Sequence, residues 1–385
     1  MAKWPEGAID VVNAPSVEQA AERIGNAQEL AVDVEADAMH AFRARLCFVQ
    51  VNSGEDVFLF DTLQPDVDAA KALQSPFADP QRTKFFHAAG GDLQYLAEQG
   101  LRVKGLFDTH RAATLLGWQK VGLADLVRER LGVELKKEHQ QSDFSLRPLP
   151  PGMREYIADD VRYLVEIGRQ VRDECAKGDI LEEVLLDCER LAEEAAGRPD
   201  GAVEFKAKLP KHQMKPEEFL LARAIAERLH ALRLQWAEAA NVPMGRMLSN
   251  AAITAIATRP PKDARELVKR EGVRGGFVRE HGDEVLSVLA DIKGQAERGE
   301  LAAPEEDKGA RDPGRRRRAE ALKIWRTTMA KQRKITASAV LPNPLIDELA
   351  AAAPRTVDDL RALRWFGEKR VTIYGEELLR VLTNA

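Results

Sequence analysis

Four carboxylates and one phenol in this chain stand at spacings that could do chemistry. Asp33 and Glu35 lie two residues apart at the end of the apolar run in "LAVDVEADAM" (30–39). Alternate residues of a strand share a face, so both carboxylates point the same way. Two like charges side by side repel and lose solvation, so either a cation neutralises them or the strand end opens to water. Asp92 sits in "HAAGGDLQYL" (87–96), where a strand ends, two glycines turn and a helix begins. It could reach the same place, or it could cap free N–H groups of the helix. In "REYIADDVRYL" (154–164), Tyr156 and Asp160 are four apart and share a helix face. The alternative there is a Tyr packed on the core beside a solvated Asp. Asp159 lies about 100° around the helix and faces elsewhere.

If the four acids converge, their all-oxygen donor set suits Mg²⁺ or Mn²⁺ and not zinc. Four carboxylates exceed what one Mg²⁺ needs; they suit two divalent ions ~3.5–4 Å apart with one carboxylate bridging. Such a pair stabilises the attacking and leaving oxygens of phosphodiester hydrolysis. A phenol at Tyr156, with an ordinary pKa near 10, is suited to orienting the attacking water rather than deprotonating it.

The elements that must position these groups alternate between strand-like and helix-like runs. "ELAVDVE" (29–35), "RLCFVQV" (45–51) and "DVFLFD" (56–61) read as three strands, the last two joined as a hairpin by "NSGED". A helical run around 66–74, a strand at 84–88 and a helix over 90–100 follow, the last stopped by Gly100. "LFDTHRAATLLG" and "LADLVRERLG" read as further helices, and a long helix follows the prolines of "RPLPPGMREY". Antiparallel strands followed by β-α units predict a mixed sheet flanked by helices.

Beyond about residue 212 the periodicity is helical throughout, and the chain repeats itself. At an offset of 93, Leu229 matches Leu322, Arg233 matches Arg326, Leu248 and Asn250 match Leu341 and Asn343, and "GDEVLSVL" (282–289) matches "GEELLRVL" (375–382). The repeat predicts a duplicated all-α bundle. The expected domains are a catalytic domain over 1–205, a first bundle over 212–295, a charged linker over 296–318 and a second bundle over 319–385.

Composition bounds the function. At 385 residues the chain holds two or three domains. Cys47, Cys175 and Cys188 are far apart, which argues against a zinc site and a disulfide framework. No apolar run is long enough to cross a bilayer, and "MAKWPEGAIDVV" has no signal-peptide core, so a cytoplasmic protein is expected. A net charge of −5 does not advertise nucleic-acid binding, which must then be local or metal-assisted.

The order D-x-E, then D after a strand and glycines, then Y-x-x-x-D resembles the DEDD superfamily of 3′–5′ exonucleases, tyrosine subclass. "RLCFVQV", "FFHAAGGDLQYL", "HQQSDFSLRPL" and "YIADDVRYL" are similar to the ribonuclease D family over roughly 25–205, and the repeats resemble HRDC domains. The resemblance implies a ribonuclease H-like fold, two divalent ions (Mg²⁺ or Mn²⁺) on Asp33, Glu35, Asp92 and Asp160, and a nucleophilic water positioned by Tyr156. It further implies a monomer acting on RNA with a free 3′ end, above all tRNA precursors, and releasing nucleoside 5′-monophosphates. A DNA repair or proofreading exonuclease is the alternative, and a catalytically dead binding module ranks last because every acid is present. Met39, His40 and Phe42 are candidates to hold the terminal base and ribose. His87 could face the site or sit in the core, and Lys136 and Lys137 could contact phosphate or simply be solvated. Phe144 stands where the family usually carries a Trp. Asp108 reads as a helix cap, and Gln50 either hydrogen-bonds near the site or faces a neighbouring strand.

Overall fold

The computed structural model describes residues 4–136, 138–197, 207–301 and 312–385. Their contacts divide into two bodies: 4–36, 46–197 and 312–385 form one, and 37–45 with 207–301 form the other.

The first body is built on six strands: β1 (Ala8–Val11), β2 (Glu29–Ala36), β3 (Leu46–Asn52), β4 (Val57–Asp61), β5 (Thr83–Phe86) and β6 (Leu106–Asp108). Their order is β1-β4-β3-β2-β5-β6. The β2-β3 and β3-β4 pairs are antiparallel and the other three parallel, so the sheet is mixed as the sequence predicts. The β3-β4 hairpin forms at the expected "NSGED". Asn52 Oδ1 accepts from Gly54 N at 2.7 Å, and Gly54 takes the left-handed φ of 90° that the turn needs. β3 and β4 are buried along their whole length, which matches their continuous apolar runs.

Eight helices flank this sheet: α1 (Ala14–Gly25), α2 (Ala69–Ala78), α3 (Asp92–Glu98), α4 (Thr109–Leu115), α5 (Leu123–Leu131), α6 (Pro151–Arg162), α7 (Leu164–Lys177) and α8 (Leu181–Ala196). α6 lies across β2, β3 and β4, and α7 across β5 and β2. Gly168 lets α7 close on the sheet, because a Cβ there would come within 2.2 Å of the Phe85 ring.

Three expectations for the sheet and its flanking helices need correction. "LFDTHRAATLLG" opens with β6 and only then becomes α4. The helical run around 66–74 begins at Ala69, where the Asp68 carboxylate caps α2. The long helix after the prolines is two, broken at Tyr163, because Asn52 Nδ2 on β3 donates to the Val161 and Arg162 carbonyls at 2.9 Å each. Those carbonyls are among the ones a helix end leaves free.

The second body holds the first helical bundle: α9 (Pro216–Ala239), α10 (Met244–Met247), α11 (Asn250–Thr258), α12 (Ala264–Leu267) and α13 (Gly275–Glu297). Its core includes Ile225, Leu229, Trp236, Ile253 and Leu289. The second bundle, in the first body, comprises α14 (Pro313–Arg333), α15 (Ala337–Val340), α16 (Asn343–Ala352), α17 (Val357–Arg361) and α18 (Glu368–Thr383). Its core includes Leu322, Trp325, Ile346, Leu360 and Tyr374. The duplication extends to side-chain bonds. Arg233 donates to Leu248 O and Asn250 Oδ1 at 3.0 and 2.6 Å; Arg326 donates to Leu341 O and Asn343 Oδ1 at 2.8 and 2.9 Å.

The expected linker over 296–318 is shorter among the described residues. α13 runs to Glu297, and α14 starts at Pro313, so Arg315–Arg318 are helical. Pro313 sits at the first helical position, where a missing N–H costs nothing. Arg318 donates to Ala350 O at 2.8 Å and pairs with Asp312 at 2.9 Å, which ties the arginine run to its own bundle.

The second bundle is docked on the helices that flank the sheet. Lys369 Nζ lies 3.0 Å from Glu183 and 3.0 Å from Asp179, at the start of α8. Arg333 pairs with Asp179 at 2.9 Å, and Thr336 Oγ1 donates to Leu115 O at 2.8 Å.

Candidate active site

β2 alternates as a strand with two jobs. Leu30, Val32 and Val34 pack into the core, while Asp33 and Glu35 face α6. Asp33 pairs across the sheet with Gln50, and Glu35 with Phe48, just before the register shifts at Ala36. α6 carries Tyr156 and Asp160 one turn apart. One oxygen each of Asp33, Glu35 and Asp160 lie within 4.8 Å of one another, and among the described residues no other three His, Cys, Asp or Glu come so close. Asp159 turns away, as its spacing predicts, to an ion pair with Arg162 at 2.5 Å.

Asp92 is the first residue of α3. Gly91 occupies the cap position and α3 has no side-chain cap bond, so Asp92 does not serve as the cap. It falls outside the three-residue group but within electrostatic reach. Burial, then the charges of Asp33, Asp108 and Asp160, raise its pKa well above the ordinary value. Burial pushes Asp33 up to about 7. It pushes Glu35 up to about 10, with Asp33, Asp160 and Asp92 adding to the shift. Asp160 is raised well above its ordinary value by burial and by Asp33 and Asp159. None of the four acids has a Lys or Arg partner among the described ion pairs. Such a cluster carries a free-energy cost that a divalent cation would remove, and its donors are all oxygen, so the residues fit a hard metal ion.

Tyr156 is held from two sides. Phe144 stacks on its ring with centroids 6.3 Å apart and planes 24° apart, and His139 meets it edge-on at 6.1 Å. Burial and the charges of Asp160, Glu35 and Asp33 raise its pKa, so the hydroxyl keeps its proton and lies in the field of the acids. Arg147 anchors the loop that brings Phe144: it pairs with Asp61 at 2.5 Å, donates to Phe144 O at 2.7 Å and lies over the Phe48 ring at 4.3 Å. The sequence marks Phe144 only as an aromatic lacking an indole N–H; its packing on Tyr156 needs the fold.

Asp108 fixes the turn that leads to Asp92. Its carboxylate caps α4 through His110 N and Arg111 N, as expected. The same carboxylate accepts from Ala88 N at 3.0 Å and Ala89 N at 2.9 Å. Ala88 sits at φ 63°, a left-handed position that a non-glycine holds only when its surroundings impose it.

His87 is half-buried, its Nδ1 2.9 Å from Thr109 Oγ1 and its ring edge-on to His110, outside the acid group. Lys136 is exposed and its charge acts on Asp159. Lys137 lies outside the described residues. Met39, His40 and Phe42 belong to the second body. There Met39 is 56 % exposed, Phe42 N donates to Asn241 Oδ1 at 3.3 Å, and Arg43 pairs with Glu238 at 2.8 Å.

The 3′–5′ exonuclease family model matches residues 11–176, and the HRDC domain model matches 222–289 and 315–382. The chain is 29 % identical to ribonuclease D of Gluconacetobacter diazotrophicus over 93 % of its own length and 88 % of that protein's. It is 26 % identical to ribonuclease D of Sphingobium indicum over 97 % and 96 % of the two chains. The crystal structure of Escherichia coli RNase D, an exoribonuclease involved in structured RNA processing, shares the fold. The TM-score is 0.67 at 22 % identity, covering 98 % of this chain and 99 % of that one. No helix among the described residues is long and apolar enough to cross a membrane. The chain thus carries a 3′–5′ exonuclease domain followed by two HRDC domains, and it aligns along nearly its whole length with proteins named ribonuclease D.

Proposed function

We propose that this 3′–5′ exoribonuclease trims the 3′ ends of tRNA precursors, one nucleoside 5′-monophosphate at a time, as a cytoplasmic monomer. The observation that carries the catalytic reading is the unpaired acid group of Asp33, Glu35 and Asp160, with Asp92 in its field and Tyr156 beside it.

Asp33, Glu35, Asp92 and Asp160 would hold two divalent ions, Mg²⁺ or Mn²⁺. Bound there, such ions supply a water of lowered pKa and stabilise the attacking and leaving oxygens. Tyr156 keeps its proton, so its hydroxyl orients the attacking water and does not act as the base. Phe144 and His139 fix the ring that carries this hydroxyl. Asp108 holds the turn from which Asp92 projects. The helical bundles contribute RNA affinity.

The test uses a tRNA precursor carrying a short 3′ trailer, the same RNA with a blocked 3′ end, and a DNA oligonucleotide of matching sequence. Stepwise trimming of the first substrate alone supports the reading. Equal trimming of the DNA would move the assignment to DNA 3′ ends. Trimming of generic single-stranded RNA in preference to the precursor would overturn the tRNA assignment.

A further inference from the structure

Gln50 is the one fully buried glutamine in the sheet beside the acids. It is 0 % exposed, and neither its Nε2 nor its Oε1 has a hydrogen-bond partner. A buried amide left unmade costs free energy, so it needs an account. Gln50 lies directly opposite Asp33 in the antiparallel β2-β3 pair. Directly opposite residues send their side chains to the same face, with Cβ atoms ~4.5–5.5 Å apart. Asn52, two residues further along β3, shares that face and does find partners, donating to the two carbonyls that end α6. Polar side chains on this face can therefore be satisfied by α6; Gln50 is not.

We propose that Gln50 is a positioning residue for the metal centre: its side-chain amide hydrogen-bonds to Asp33 when that carboxylate binds a divalent ion, and so fixes which carboxylate oxygen faces the ion. Groups behind a metal ligand orient it in this way and commonly set affinity by about 10- to 100-fold. The inference rests on the metal reading of the acids given above.

The test titrates Mn²⁺ into the full-length protein by calorimetry and records its melting temperature without metal. It uses Gln50→Leu and Gln50→Met, close in volume but without the amide, and Asp33→Asn as a reference. The expected result is an unchanged or raised metal-free melting temperature in both Gln50 variants, with Mn²⁺ affinity at least about tenfold weaker. A purely structural amide would instead lower the melting temperature and leave affinity alone, and that result overturns the proposal. So would failure of both Gln50 variants to fold. If Asp33→Asn loses Mn²⁺ while Gln50→Leu binds as the wild type does, only the Gln50 assignment falls. If Asp33→Asn also binds normally, the metal reading falls with it.

Discussion

Phe144 stacks on Tyr156, the ring planes 24° apart, and is itself buried to 2 % exposure. The phenol is thus aimed by packing from a loop that Arg147 ties to Asp61. With Tyr156 orienting the attacking water as proposed, Tyr156→Phe should lower kcat by about 100-fold while leaving Mn²⁺ affinity unchanged, because it removes no metal donor. Phe144→Leu should produce a smaller loss in kcat with little change in KM. Steady-state kinetics on a short RNA check both. Lost metal affinity in Tyr156→Phe would mean that the hydroxyl serves the ions.

The acid cluster makes metal-free stability depend on pH. Burial lifts Asp33 from 3.8 to about 7 and Glu35 from 4.5 to about 10. The folded protein then keeps protons that the unfolded chain has released, so stability falls as pH rises through this window. Melting in EDTA should drop between about pH 5 and about pH 8, and Mn²⁺ should restore it more fully at the higher pH. Glu35→Gln should flatten the EDTA profile and raise metal-free stability at neutral pH.

Asp108 serves two segments with one carboxylate. Asp108→Asn keeps the Oδ1 acceptor but puts an amide NH₂ where Ala89 N needs an acceptor. A loss of roughly 1–3 kcal/mol in unfolding free energy is expected. Activity should fall with it, because the turn before Asp92 loosens. Urea unfolding followed by kinetics on the folded fraction separates the two effects.

Glu183 is 1 % exposed and is matched by Lys369 at 3.0 Å, from the second bundle. Lys369→Ala leaves the buried Glu183 carboxylate with Arg333 alone, 3.8 Å away, and should cost roughly 1.5–3 kcal/mol. Calorimetry should then show the second bundle melting ahead of the sheet. The double variant Lys369→Met with Glu183→Met should recover most of the loss, since an apolar pair of similar volume replaces the ions. A single unshifted transition in Lys369→Ala would show that this pair does not hold the bundle in place.

Elements governed by local periodicity were legible before any fold was known. The alternation of β2, the turn residues Asn52 and Gly54, and the left-handed stop at Gly100 (φ 76°) after α3 all carry their signal within a few residues. The offset of 93 revealed the duplicated bundles because the Arg–Asn network recurs with them. Strand spacing puts Asp33 and Glu35 on one face and helix spacing puts Tyr156 and Asp160 on another; that the two pairs meet was implied by the resemblance to the DEDD exonucleases and not by spacing. What stayed hidden is tertiary in origin. The break at Tyr163 is made by Asn52, over a hundred residues away. β6 is three residues long, too short for a period to show. Docking of the second bundle depends on complementary charges at Lys369 and Glu183, which look like ordinary solvated residues in sequence. Arg318, at the end of the arginine run, is tied to Ala350 and Asp312, contacts that no local pattern announces.

The most direct test of the central claim compares wild type with Asp160→Asn on a 5′-labelled single-stranded RNA in single turnover, in Mg²⁺ and in EDTA, at nucleotide resolution. Wild type in Mg²⁺ should give a ladder shortening from the 3′ end and none in EDTA, and Asp160→Asn should be slower by orders of magnitude despite normal RNA binding. A ladder that survives EDTA, or an Asp160→Asn rate close to wild type, would contradict that claim.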